Sequence, residues 1–182
     1  MPTSERFVPL DIALLSTGGT IEKTYDPLEG VLRNDVSVLD VLLSELRLEG
    51  VRLHRRAVLN MDSMDMTPED HELIVEAARE ASNAYAGVII VHGTDRLAAT
   101  GEAIAAAYDP PVPIVLTGAM TPWILRTSDA KQNLTEALTA VQLLSQGVYV
   151  CMHNRVIAFP GVVKDCRNLR FVRNSDLQHE EV

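Results

Sequence analysis

Four short segments of this chain carry residues able to perform acyl chemistry. They read Thr17-Gly18-Gly19-Thr20, Asn60-Met61-Asp62-Ser63-Met64-Asp65, His92-Gly93-Thr94-Asp95 and Thr117-Gly118-Ala119-Met120. All four are rich in small, hydroxylated or acidic residues. A threonine hydroxyl alone is a weak nucleophile and needs a base or a cationic neighbour. Thr20 and Thr94, with Asp95 and a later lysine, supply that setting, because a lysine desolvated among polar groups can take up a proton. Backbone N–H groups at the glycine turns of Gly19 and Gly93 are suited to hold the oxyanion of an acyl-transfer intermediate. Together these residues point to attack on a carbonyl of a small polar molecule. Each segment also has a plainer reading. TGGT can be a tight turn whose glycines supply φ freedom. Thr94 or Asp95 can cap the helix that follows. TGAM can serve close backbone packing, and Asp62 and Asp65 can be helix-entry carboxylates. Neither a P-loop nor a GxGxxG pattern is present.

What distinguishes the four segments is where they fall. Each follows an apolar run that reads as a strand: Asp11 to Ser16, Val51 to Leu59 (more polar, hence nearer an edge), Gly87 to Val91 and Val112 to Leu116. Helical spacing lies between them. Val36, Leu39, Leu42, Leu43 and Leu46 form one apolar face. Thr67-Pro68-Glu69-Asp70 is a helix start with an N-cap, a first-turn proline and acidic residues. An Ala-rich helix runs from Leu97 to Tyr108 and is stopped by Pro110-Pro111. Another places Leu134, Ala137, Leu138, Val141 and Leu144 on one side, ahead of strands at Gly147 to Met152 and Val156 to Phe159. A polar C-terminal tail is expected from about residue 167. Strands alternating with helices imply right-handed crossovers and a doubly wound α/β domain: a mostly parallel, Rossmann- or flavodoxin-like sheet with helices on both faces. Ligands of such sheets bind beyond the carboxyl ends of the strands, where all four segments converge.

The segments resemble the bacterial-type L-asparaginase/glutaminase family. The resemblance rests on TGGTI (Thr17 to Ile21), HGTD (His92 to Asp95), VLTGAM (Val115 to Met120), DSMDMTP (Asp62 to Pro68) and SDxxxNL (Ser128 to Leu134), in the family's order across residues 10–166. It implies that Thr20 is the acyl-accepting nucleophile, assisted by Tyr25 in the loop just after it. Ser63 would hold the substrate α-carboxylate, with Asp62 beside it. Thr94 would be a second hydroxyl and Asp95 the anchor for the α-ammonium. Lys164, in Gly161-Val162-Val163-Lys164-Asp165, would complete a Thr–Lys–Asp group, and the Ala119 carbonyl would accept the leaving amide. The implied reaction is hydrolysis of L-asparagine, with L-glutamine as a second candidate, without metal or organic cofactor. The pattern departs from the family at Arg96, where a threonine is usual, and at Met64, where glutamine or serine is frequent. Family members usually carry a second, C-terminal domain that gives a glutamate to the neighbouring subunit's site. This chain reads as a short, single-domain member, in which Asp62, Asp65, Glu180 or Glu181 are the carboxylates available to substitute.

Composition bounds the alternatives. The 182 residues hold 16 basic and 25 acidic side chains, a net charge of −9, which disfavours nucleic acid and anionic membranes as partners. Hydrophobic content of 47% excludes a disordered acidic chain. The longest stretch without a polar or charged residue, Ala84 to Val91, has eight residues against the roughly 20 of a membrane-spanning helix. Without a basic-then-apolar leader, and with Cys151 and Cys166 outside any metal-ligand spacing, the expectation is a cytoplasmic protein with reduced thiols. Self-association into a homo-oligomer is expected, because surfaces that longer relatives bury would otherwise be bare. His92, at the end of a buried strand, reads more readily as hydrogen-bonded structure than as a base; His153 and His179 have weaker claims. Trp123 could wall the pocket or an interface. The competing functions are a non-catalytic amino-acid-binding or regulatory module, a hydrolase of another small amide, and the amide-hydrolysing subunit of an amidotransferase.

Overall fold

The computed structural model describes residues 8–34 and 38–177. Its main sheet has six strands. They are β1 (Leu10–Gly18), β4 (Val51–Met61), β5 (Gly87–Val91), β6 (Pro113–Thr117), β7 (Gly147–Met152) and β8 (Arg155–Ala158). Their order is β4-β1-β5-β6-β7-β8. The first five run parallel, and β8 returns antiparallel to β7 as an edge strand. Among the parallel strands this is the 2-1-3-4-5 order of flavodoxin-like folds, whose switch point opens a crevice between the first and third strands. Here those strands are β1 and β5, paired from Ile12↔Gly87 to Ser16↔Val91.

The apolar runs explain the layers. In β1, Ala13 and Leu15 face one core and Ile12 and Leu14 the other, the period-two alternation of a strand buried on both sides. Helices α2 (Pro68–Ala84) and α3 (Leu97–Ala107) cover the first face through Ile74, Ala78, Leu97 and Ile104. Helices α1 (Leu39–Ser44) and α4 (Ala130–Leu143) cover the second through Leu39, Leu42, Leu134 and Val141. The expected start of α2 is realised as a capping box. Asp70 N–H donates to the Thr67 hydroxyl at 3.3 Å and Thr67 N–H to the Asp70 carboxylate at 2.9 Å.

Several boundaries differ from the sequence reading, and β1 and β6 run on through Gly18 and Thr117. Helix α1 is shorter than the apolar spacing implies, and Val36 lies outside the described residues. Strand β4 continues to Met61, which pairs with Gly18 past a register shift, so Asn60 and Met61 belong to the strand instead of opening the turn. The segment expected as a polar tail instead supplies β10 (Arg170–Arg173), which pairs antiparallel with the preceding β9 (Val162–Asp165), and one turn of helix α5 (Asn174–Leu177). Phe171 and Val172 are buried there, flanked by arginines that hide them in a hydropathy pattern. Asp165 organises the turn, accepting from the backbone N–H groups of Arg167 and Asn168 and from the Asn168 and Arg170 side chains. Between β1 and α1 the loop forms a second small hairpin, β2 (Thr24–Asp26) with β3 (Val31–Arg33), in which Tyr25 pairs with Leu32.

Candidate active site

Three glycine turns interlock at the β1/β5 crevice. A Cβ on Gly19 would stand 2.4 Å from the Gly93 Cα, and Gly19 adopts φ 77°, a conformation that favours glycine. A Cβ on Gly118 would stand 2.3 Å from the His92 carbonyl oxygen. Glycine is therefore required where the TGGT, HGTD and TGAM backbones meet. This contact brings Thr20 and Thr94, each one residue beyond a touching glycine, to the same seam. Thr20 opens a short 3-10 turn, Thr20–Glu22, and is partly buried.

Lys164 reaches the seam from β9. Its ammonium donates to Thr94 Oγ1 at 2.8 Å and to Asp95 Oδ1 at 2.8 Å, with 13% of its side chain exposed. The helix-capping alternative for HGTD therefore fails. Arg96 occupies the N-cap of α3 without a side-chain capping bond, while Thr94 and Asp95 are engaged with the lysine. Because the Thr94 oxygen accepts from Lys164, its hydroxyl proton is directed away from the ammonium and can be donated elsewhere. Two backbone N–H groups fix the approach of β9: Gly161 and Val162 donate to Glu102 Oε1 of α3 at 2.6 and 3.1 Å.

Ser63 lies against Gly93, whose added Cβ would fall 2.5 Å from the Ser63 hydroxyl. That hydroxyl is fully buried, and among the described residues it is the one buried side-chain polar atom with no hydrogen-bond partner. Such an atom costs free energy in the absence of a ligand group to meet it. Asp62, expected beside the substrate, has other partners. Lys23 bonds one oxygen at 2.6 Å, and Met64 N–H bonds the other at 3.1 Å, so Asp62 caps the 3-10 turn Ser63–Asp65. The Lys23 hydrogen bond is the largest influence holding its carboxyl below the usual range. Asp65 and Met64 are exposed on the same turn.

Ala119 is completely buried, and its turn is held by a polar network. Asp129 accepts from Met120 N–H at 3.0 Å, Thr121 N–H at 2.9 Å, Asn133 Nδ2 at 2.8 Å and His153 Nε2 at 2.7 Å. Burial opposes its charge, but the backbone donors, with His153, outweigh burial and lower its pKa. Asn133 also donates to the Gly118 carbonyl at 2.9 Å. The SDxxxN spacing thus buttresses the TGAM turn, and His153 serves that network. His92 is buried and bonds the Gly93 carbonyl through Nδ1 at 2.8 Å; burial pushes its pKa down to about 4. Its bonds stay within the protein, as its place just past the end of β5 implies.

Tyr25 stands on the β2–β3 hairpin with 59% of its surface exposed, and the structure does not bring it into the seam. The base of that hairpin is tied down by Lys23–Asp62 and by Asn34, whose side chain donates to the Gly19 carbonyl at 2.8 Å. Asn60 in turn donates to the Asn34 carbonyl at 2.7 Å. Sequence reasoning did not single out Lys23, Asn34, Asn60 or Glu102. Their partners are distant in sequence, and no spacing rule links them. Trp123 packs against the second core cluster and lines a groove of about 540 Å³ with Ile124 and Leu125. His179, Glu180 and Glu181 lie outside the described residues.

The family model "Asparaginase, N-terminal" matches residues 11–169 of this chain. The chain belongs to the asparaginase family. An L-asparaginase from Thermococcus kodakarensis is 39% identical over 153 residues, which is 81% of this chain and 45% of the relative. A solved structure of the thermostable L-asparaginase from the same organism superposes with a TM-score of 0.81 at 35% identity, covering 90% of this chain and 51% of the other. A component of the glutamyl-tRNA(Gln) amidotransferase from Methanococcus vannielii is 34% identical over 149 residues, covering 80% of this chain and 35% of that one. This asparaginase-family chain therefore spans about half or less of the length of these relatives.

Proposed function

We propose that this asparaginase-family chain is an L-asparagine amidohydrolase, releasing ammonia and L-aspartate through an acyl-enzyme on Thr20. The observation that carries this reading is the Thr94–Lys164–Asp95 group, hydrogen-bonded at 2.8 Å on each side and joined to the Thr20 turn by the Gly19–Gly93 contact. Thr20 Oγ attacks the amide carbon, and the N–H groups of the glycine turns stabilise the oxyanion. The proton lost by the Thr20 hydroxyl passes to the amide nitrogen, the C–N bond breaks, and ammonia departs with its N–H donating to the Ala119 carbonyl. Water, activated through Thr94 and Lys164, then cleaves the ester. Asp95 serves the substrate ammonium, and the unpartnered Ser63 hydroxyl and the turn around it meet the α-carboxylate. Tyr25 reaches Thr20 only if its hairpin moves over the bound substrate. Glutamine differs by one methylene, worth only about 1–3 kcal/mol of discrimination, and is a second substrate in this reading. No organic or metal cofactor takes part, the protein is cytoplasmic, and it self-associates. Neither nucleic acid nor membrane is a partner. Among the described residues no helix is long and apolar enough to cross a membrane.

Similarity to the amidotransferase component favours a second reading, in which the same site releases ammonia within a larger assembly. Ammonia release from L-asparagine and L-glutamine by the wild-type chain and by Thr20→Ala is the test. The proposal expects turnover by the wild type and a fall of at least about a hundredfold in the variant. An equal rate in both removes Thr20. A melting temperature raised by aspartate, with no ammonia from either amide, makes the chain a binding module.

A further inference from the structure

His71 lies on α2, outside the residues that meet the substrate in the proposed function, yet it begins a continuous chain of hydrogen bonds that ends in the HGTD turn. Its Nδ1 is 2.8 Å from Thr100 Oγ1, and Thr100 Oγ1 is 2.8 Å from His92 Nε2. His92 Nδ1 is in turn 2.8 Å from the Gly93 carbonyl. Thr100 and His92 are both completely buried. Followed back from its end, the chain has one consistent direction. The Gly93 carbonyl can only accept, so His92 carries its proton on Nδ1, and the neutral ring leaves Nε2 as an acceptor. The Thr100 hydroxyl therefore donates to Nε2, and its oxygen is left to accept from His71 Nδ1–H.

The Thr100 proton has a competing acceptor, the Arg96 carbonyl at 3.4 Å. A donor on the Thr100 oxygen polarises the hydroxyl and favours the shorter bond to His92. The peptide plane between Gly93 and Thr94 is rigid, so fixing its carbonyl also fixes where Thr94 begins. Thr94 and Asp95 are the two partners of Lys164. The charged groups facing His71 are Asp70 beside it and Arg96 from the start of α3, while His92 faces His71 at 6.4 Å between ring centroids.

We propose that His71 is a positioning residue: through Thr100 it holds His92 in the Nδ1–H tautomer, whose bond to the Gly93 carbonyl aims Thr94 and Asp95 at Lys164. The inference rests on the proposed function for its catalytic consequence, but its structural half can be read without turnover.

The experiment combines nitrogen NMR of histidine-labelled protein with steady-state ammonia release from L-asparagine. It compares wild type, His71→Leu, His71→Asn (which keeps an N–H donor near the place of Nδ1) and the near-isosteric Thr100→Val. The wild type is expected to show a neutral His92 protonated on Nδ1 with slow solvent exchange. In His71→Leu that proton exchanges about tenfold faster, and kcat falls about tenfold while KM stays within about twofold. His71→Asn restores most of both, and Thr100→Val reproduces the loss if His71→Leu does not fold. A wild-type His92 protonated on Nε2 overturns the proposal. So does an unchanged His92 signal and kcat in His71→Leu, or a loss in which His71→Asn and His71→Leu are alike. If the wild type releases no ammonia, the proposed function fails, and the tautomer and exchange of His92 still decide whether His71 positions the turn.

Discussion

Ser63 and Lys164 show opposite uses of burial within one site. Lys164 is satisfied in the free protein by two oxygens, whereas the Ser63 hydroxyl is buried without a partner among the described residues. An unsatisfied buried polar atom costs about 1–3 kcal/mol, so Ser63→Ala should leave the unliganded protein as stable or up to about 1 kcal/mol more stable. The same change should raise KM for L-asparagine about tenfold or more, because a ligand carboxylate loses its donor. Denaturant unfolding and steady-state kinetics on one preparation check both halves; a destabilised variant with unchanged KM would make Ser63 a packing residue. Lys164→Met should lower kcat by about a hundredfold or more, the usual scale for losing a proton-transfer group. Circular dichroism should be unchanged, since the remaining contacts of β9 do not involve the ammonium.

The elements act by holding short turns at fixed angles, and much of this was legible in the sequence. The apolar run Gly87–Val91 places HGTD at the end of a fully buried strand, and the capping box at Thr67 sets the start of α2. Those signals are local, so a spacing rule finds them. The supports of the site are different. Asp129 stands out only through the SDxxxNL resemblance, and nothing local says that it collects four donors from three segments. Glu102 is one acid on an Ala-rich helix, and nothing local says that it receives two N–H groups from residues 59 and 60 positions away. The β9–β10 hairpin escaped notice because its buried Phe171 and Val172 sit between charged neighbours. Asp129→Ala should therefore destabilise the fold by about 2–3 kcal/mol, since it strands several half-buried donors around the Ala119 turn. Glu102→Ala should loosen only the entry to β9. Hydrogen exchange at Gly161 and Val162 should speed up and kcat should fall, with the melting temperature changing less than in Asp129→Ala.

At the scale of the molecule, the flavodoxin-like strand order converts sequence-distant turns into one rim. It also buries ionisable groups whose titration couples to folding. His92 takes its proton in the folded state only near pH 4, whereas an unfolded histidine does so near 6.5. Between those limits the unfolded chain binds more protons, so stability falls as the pH falls across them. The carboxyls of Asp62 and Asp129 are held below their usual range, and their contributions are lost in the same direction at lower pH. Urea unfolding at pH 7 and pH 5 should show lower stability at pH 5, and replacing His92 with glutamine should reduce that difference. A pH-independent stability would mean that the His92 ring is not held neutral.

The decisive measurement is partitioning of the acyl group. Hydroxylamine added to the enzyme and L-asparagine should divert an ester on Thr20 to aspartyl hydroxamate, with the ratio of hydroxamate to aspartate rising in proportion to the hydroxylamine concentration. Thr20→Ala should yield neither hydroxamate nor ammonia above background. Ammonia without hydroxamate in the wild type, or hydroxamate formed undiminished by Thr20→Ala, would contradict an acyl-enzyme on Thr20.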